Sequence, residues 1–153
     1  MSSAQAEDLT VRKSVGVSLS PEQAFELFTE RKPEWWPYES HAASGKKPEE
    51  VVWEPRVGGR VYDRLSGGRE NQWATVLAWE PPHRVVIEWN VNPANPATEL
   101  EVRFTPEGDG TRVDLEHRGW ERYGDEAAET FASYNGGWDT VLKPFVAAAS
   151  EER

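Results

Sequence analysis

The chain has 153 residues, enough for one domain and a sizeable core without a disulfide or metal staple. It contains no cysteine, which excludes disulfides, zinc thiolates, iron–sulfur clusters and thiol nucleophiles. Seventeen Lys and Arg against 27 Asp and Glu give a net charge of −10, which argues against nucleic acid as a partner.

Residues 1–8 are polar, without a hydrophobic region, and read as a disordered leader; no signal peptide and no membrane span are expected, so the cytoplasm is the default compartment. A single domain is expected over 9–150. Leu9, Val11, Val15, Val17 and Leu19 share one parity, which predicts a half-buried strand. Ser20-Pro21-Glu22-Gln23 carries an N-cap, a proline at the first helical position and a capping-box partner. Ala24, Phe25, Leu27 and Phe28 then predict a short helix. Pro33 and Pro37 leave room for one turn around Trp35-Trp36, and 39–50 read as a loop.

From Val51 to Trp120 short strands alternate with turns at Gly58-Gly59, Gly67-Gly68, Pro81-Pro82, Asn92-Pro93 and Pro106 to Gly110. Thr98, Leu100, Val102 and Phe104 oppose Glu99, Glu101 and Arg103, so one face of an antiparallel sheet is covered and the other wet. The cover is a long amphipathic helix from about Asp125 to Ala149, with Ala127, Phe131, Tyr134, Trp138, Val141 or Leu142, Phe145 and Ala149 at spacings of 3 and 4. Gly136-Gly137 is expected to let this helix approach the sheet, and Pro144 to kink it.

The site signal is aromatic. The chain has eight Trp but only eight Leu and one Ile, an unusual recipe for a densely packed core. Eight indole N–H groups are too many for one small core to satisfy, so some tryptophans are expected to line a cavity or sit half exposed. Trp36, Trp73, Trp89, Phe104, Phe131, Tyr134 and Trp138 are the candidate walls. His117 shares the covered parity of Val113 and Leu115. It is either a hydrogen-bonded core histidine or a polar handle for a ligand. Asp63 shares parity with Val61 and Leu65 and would pair with His117 if it faced the same space, whereas Glu88 reads as solvent-facing. His41 and His83 fall in a loop and a turn. No metal-ligand spacing, phosphate loop or serine elbow occurs, and no cofactor is expected.

Three blocks carry a resemblance: Pro55 to Tyr62 (PRVGGRVY), Ala74 to Trp89 (ATVLAWEPPHRVVIEW), and Leu115 to Trp120 followed by Gly137-Trp138 and Leu142. Together they resemble the START-like (SRPBCC, birch-pollen-allergen-like) superfamily, in the branch homologous to activators of the heat-shock-chaperone ATPase, over about residues 10–149. The resemblance implies an α+β helix-grip fold with an internal hydrophobic cavity, and no single activity. Three functions follow in order of expectation. The first is binding of an apolar or amphipathic small molecule between sheet and helix. The second is a protein–protein module with a chaperone or homodimer contact. The third is a cyclase- or hydrolase-like enzyme using His117 with an acid and Tyr134.

Overall fold

The computed structural model describes residues 9–36, 48–90 and 94–151. The expected leader, His41 and most of the 39–50 loop lie outside these residues. Seven antiparallel strands form one sheet in the order β1-β7-β6-β5-β4-β3-β2. They are β1 (Val11–Val17), β2 (Glu50–Trp53), β3 (Arg60–Arg64), β4 (Glu70–Glu80), β5 (Arg84–Trp89), β6 (Thr98–Glu107) and β7 (Gly110–Arg118). Helix α1 spans Pro21–Phe28, a 3-10 turn follows at Lys32–Glu34, and a second 3-10 segment, Trp120–Glu126, leads into α2, Ala127–Glu151. This is the expected helix-grip architecture, a sheet wrapped on a long C-terminal helix.

Local chemistry sets the ends of α1. Ser20 Oγ accepts from the Gln23 backbone N–H, and Gln23 Oε1 accepts from the Ser20 N–H, both at 3.2 Å. This reciprocal box satisfies two otherwise orphaned donors. Thr29 Oγ1 donates to the Phe25 carbonyl at 2.8 Å and closes the other end. Ala24, Phe25, Leu27 and Phe28 are all buried, so the helix plugs the sheet with its apolar face.

Helix α2 buries Ala127, Trp138, Val141, Leu142, Phe145 and Ala149. Its helical range extends through Pro144. The hydrogen bond that proline removes falls on the carbonyl of Thr140, an exposed residue whose carbonyl water can serve. Gly136 is exposed, and a Cβ built there meets nothing within 4 Å, so the expected close approach does not occur at that residue.

Two bulges re-aim side chains on β4. The β3–β4 register shifts between Val61 and Tyr62, leaving Trp73 as the extra residue beside Ala74, and both are buried. A second shift between Val76 and Ala78 leaves Leu77 outside and brings Trp79 into register with Val85. Pro106 belongs to β6 rather than to the hairpin turn. Strand β5 ends opposite Arg103, so the side of Pro106 that lacks an N–H faces no strand.

One residue on the wet face departs from the alternation. Glu101 is only 5% exposed. Arg84, Arg103 and Arg118 converge on its carboxylate at 2.7, 2.7 and 3.0 Å. Burial works to raise its pKa, but the hydrogen bonds from Arg84 and Arg118 and the charge of Arg103 win and hold it below the ordinary value.

Candidate functional site

Trp89 ends β5 on the covered face and is the hub of the interior rings. Its ring lies 5.3 Å from Trp73 on β4, 6.4 Å from Trp36 after the 3-10 turn, 5.8 Å from Trp138 and 6.4 Å from Tyr134 on α2, and 5.2 Å from His117 on β7. Edge-on and tilted contacts at these separations are the favourable ones for aromatic pairs. Six of the eight sequence-derived candidates therefore meet: Trp36, Trp73, Trp89, His117, Tyr134 and Trp138. Phe104 is buried elsewhere, against Phe25 and Phe28 of α1. Phe131 packs half-buried against the core.

The hydrogen bonding of these rings is uneven. Trp35 donates to the Leu27 carbonyl at 2.7 Å, Trp73 to Asp63 Oδ1 at 3.1 Å, and Trp120 to the His117 carbonyl at 2.9 Å. Trp138 donates to His117 Nδ1 at 3.1 Å. Trp53 and Trp89, by contrast, bury their Nε1–H groups without an acceptor. A buried donor left unmet costs about 1–3 kcal/mol, so the hub of the cluster holds unused hydrogen-bonding capacity.

His117 is fully buried with both ring nitrogens engaged. Because Trp138 donates to Nδ1, the imidazole proton sits on Nε2, 2.7 Å from Thr98 Oγ1. Burial, with a smaller push from the charge of Arg118, lowers its pKa to about 3, so it is neutral at physiological pH. The backbone holds the same corner. Gly119, at φ 103°, turns the chain out of β7, and a Cβ there would come within 3.4 Å of the Thr98 Cα. Trp120 is thereby folded beneath the imidazole, 4.5 Å between rings.

Asp63 is buried as the parity suggested, but its partners are not His117. Its carboxylate accepts from Trp73 and interacts with Lys32, a residue the sequence reading did not single out. Lys32 opens the 3-10 turn and is only 6% exposed. Its Nζ stands 4.0 Å from the Trp36 ring centroid and 4.2 Å from that of Trp73, a cation–π arrangement on two indoles. Burial lowers the pKa of this amine to about 7, against the pull of Asp63, and burial raises that of Asp63 against Lys32 and the Trp73 bond. The residues beside it, Arg31 and Pro33, carry no signal of this burial, because one of the two rings, Trp73, comes from β4. His83 and Glu88 are exposed, as expected.

A separate groove of about 420 Å³ runs between β1 and α2, bridged by Lys13 and Asp139 at 3.0 Å, and contains none of the candidate residues. Among the described residues no group of three or more His, Asp or Glu is placed to hold a metal ion, and no helix is long and apolar enough to cross a membrane.

Residues 18–150 match the family model described as activator of Hsp90 ATPase homolog 1-like protein. The chain belongs to this family. No match was found among curated protein sequences. Among solved structures, an anthrahydroquino-gamma-pyrone synthase, Txn09, complexed with SUM, is 38% identical with a TM-score of 0.62, over 90% of this chain and 95% of that one. The self-sacrificing resistance protein CalC from Micromonospora echinospora is 31% identical with a TM-score of 0.72, over 94% and 95%. The Aha1 dimer from Colwellia psychrerythraea is 19% identical with a TM-score of 0.66, over 92% and 96%, and shares the fold.

Proposed function

We propose that this family member binds an apolar or amphipathic, flat small molecule against the Trp89 cluster. The observation that carries the reading is the buried Trp89 Nε1–H without an acceptor, set among the rings of Trp36, Trp73, Tyr134 and Trp138. Rigid indoles offer large apolar area with little rotamer entropy to lose, at about 25 cal/mol per Å² buried, and an unmet donor fixes orientation. Support comes from the 38% identical relative, an anthrahydroquino-gamma-pyrone synthase complexed with SUM. That relative also favours a second reading, in which the bound molecule is chemically converted. The acid–base groups near the cluster are then Lys32 and Asp63 in place of the expected Asp63 and His117, because both nitrogens of His117 are occupied by Thr98 and Trp138.

The test is titration with the uncharged dye N-phenyl-1-naphthylamine, following dye emission and tryptophan quenching. Binding with a Kd below about 100 µM, roughly −5.5 kcal/mol, and its weakening in Trp89→Leu are the expected results. Absence of binding in that range overturns the reading.

A further inference from the structure

The sheet ends in two unequal edges. β2, at one end of the strand order, spans four residues and packs beside the 3-10 turn at Lys32–Glu34. β1, at the other end, spans seven residues, contains no proline and pairs only with β7. A strand paired on one side turns every second backbone N–H and C=O away from its neighbour. Beyond the β7 ladder, no backbone hydrogen bond joins Lys13, Ser14 or Val15 to another described residue. The groove of about 420 Å³ between β1 and α2 is lined by these same three residues. Lys13 and Val15 share the half-buried parity that faces α2, and Ser14 is exposed on the other. A groove that touches all three therefore reaches the free edge of the strand. We propose that β1 is a docking edge for an extended peptide segment that carries apolar and acidic side chains. This surface lies apart from the Trp89 cluster and goes beyond the ligand reading above.

Backbone and side chains select the same partner. Outward-facing N–H and C=O groups are best met by another extended backbone, and main-chain hydrogen bonds then supply affinity without regard to sequence. Specificity comes from the groove. In an added strand every second side chain points toward α2, where Leu142, Val146 and Ala147 stand across from Val15 and make an apolar wall. Charge decides the rest. Lys13 pairs with Asp139 at 3.0 Å, while Lys143 on the same groove has no ion-pair partner among the described residues. Two lysines against one aspartate leave the groove positive on a chain whose net charge is −10. An acidic side chain on the groove-facing row compensates that charge, and a wholly apolar strand does not. A lysine turned inward on an edge strand is also a device against indiscriminate pairing. It disfavours a second copy of this chain as the occupant, because β1 laid on β1 would set lysine-lined edges together between two chains of net charge −10.

The probe is the acetylated, amidated peptide TVTETVT, in which Val, Glu and Val form one face and Thr the other. In an NMR titration it is expected to shift the amide resonances of β1 and of the α2 segment from Asp139 to Ala147, and to slow hydrogen exchange at amides within Lys13–Val15. TVTKTVT, with lysine in place of the glutamate, is expected to bind about fivefold more weakly, because an ion pair is exchanged for like charges. Lys143 is exposed on α2, so Lys143→Glu should fold and reverse that preference; Lys143→Gln, the milder variant, should abolish it. Absence of shifts at about 1 mM TVTETVT overturns the proposal. Shifts without slowed exchange on β1 overturn it too, since they would mean contact without strand addition. Equal binding of the two peptides, or an unchanged preference in both Lys143 variants, refutes the acidic partner. A concentration-dependent dimer of the protein alone that protects the same β1 amides would make a second copy the occupant and overturn the proposal as well.

Discussion

Replacing Lys32 by Met keeps an unbranched side chain of similar length and removes the titrating amine, and the consequence for stability has a definite sign. In the folded protein burial lowers the Lys32 pKa from its ordinary 10.5 to about 7. Between those two values the unfolded chain carries a proton on this group that the folded protein has released. Stability must therefore rise with pH across that window, and the penalty for burying the amine is fully present below pH 7. Each pH unit is worth about 1.36 kcal/mol, so the wild-type protein gains on the order of 4 kcal/mol relative to Lys32→Met between pH 7 and 10.5. Loss of the ammonium also strands the Asp63 carboxylate, but that offset is nearly constant over the window and leaves the difference in slope intact. Urea unfolding of both proteins at pH 7, 8, 9 and 10, followed by tryptophan emission and circular dichroism, measures the slopes. Parallel profiles would mean that Lys32 stays charged in the folded protein, and the reasoning would fail.

His117, with its pKa lowered to about 3, contributes stability that is present above pH 6.5 and is lost as pH falls toward 3; nitrogen NMR at pH 5 should find a neutral ring protonated on Nε2, and an imidazolium there would refute the assignment. A Cβ at Gly110 would collide with the Val17 carbonyl oxygen, so Gly110→Ala is expected to cost about 1–3 kcal/mol in urea melts, whereas Gly136→Ala, in open space on α2, should stabilise by up to about 1 kcal/mol. Glu101→Gln leaves three guanidiniums around a neutral amide and should destabilise by about 2–3 kcal/mol at low salt; an unchanged unfolding midpoint would show that the arginines simply turn to solvent.

The strands and α2 were legible because burial on one face writes an alternation of 2 or 3.6 into the sequence. The alternation on β7, that on β6 apart from Glu101, and the box at Ser20 and Gln23 appear in the structure as read. Parity gives the side of a sheet but not the position along it. Thr98 and Phe104 share a face yet stand six residues apart on β6, about 20 Å at the rise of a strand, so Thr98 reaches His117 while Phe104 meets α1. Parity is also blind to bulges, which is why the inward placement of Trp73 beside Ala74 could not be derived from β4 alone. Charge misled twice. Glu101 on the wet face is covered by arginines from its own and neighbouring strands, and Lys32 lies between the nearby Trp36 and Trp73 of the distant β4. Such burial is created by tertiary neighbours and leaves no periodic trace in the residues beside it.

The strand order has a kinetic corollary. β1, the first strand made, pairs only with β7, the last, in a register that sets Val11 against His117 and Val17 against Thr111. That pairing closes a loop of roughly a hundred residues, and the entropy of closing it must be met before its contacts repay the cost. The β2-to-β7 meander consists of neighbouring hairpins and can assemble locally, whereas β1 must wait for its partner to emerge. The histidine corner is thus completed at the end of folding. Refolding should show meander formation, reported by the Trp73–Trp89 pair, ahead of the pairing of β1 with β7, which sets Val11 against His117.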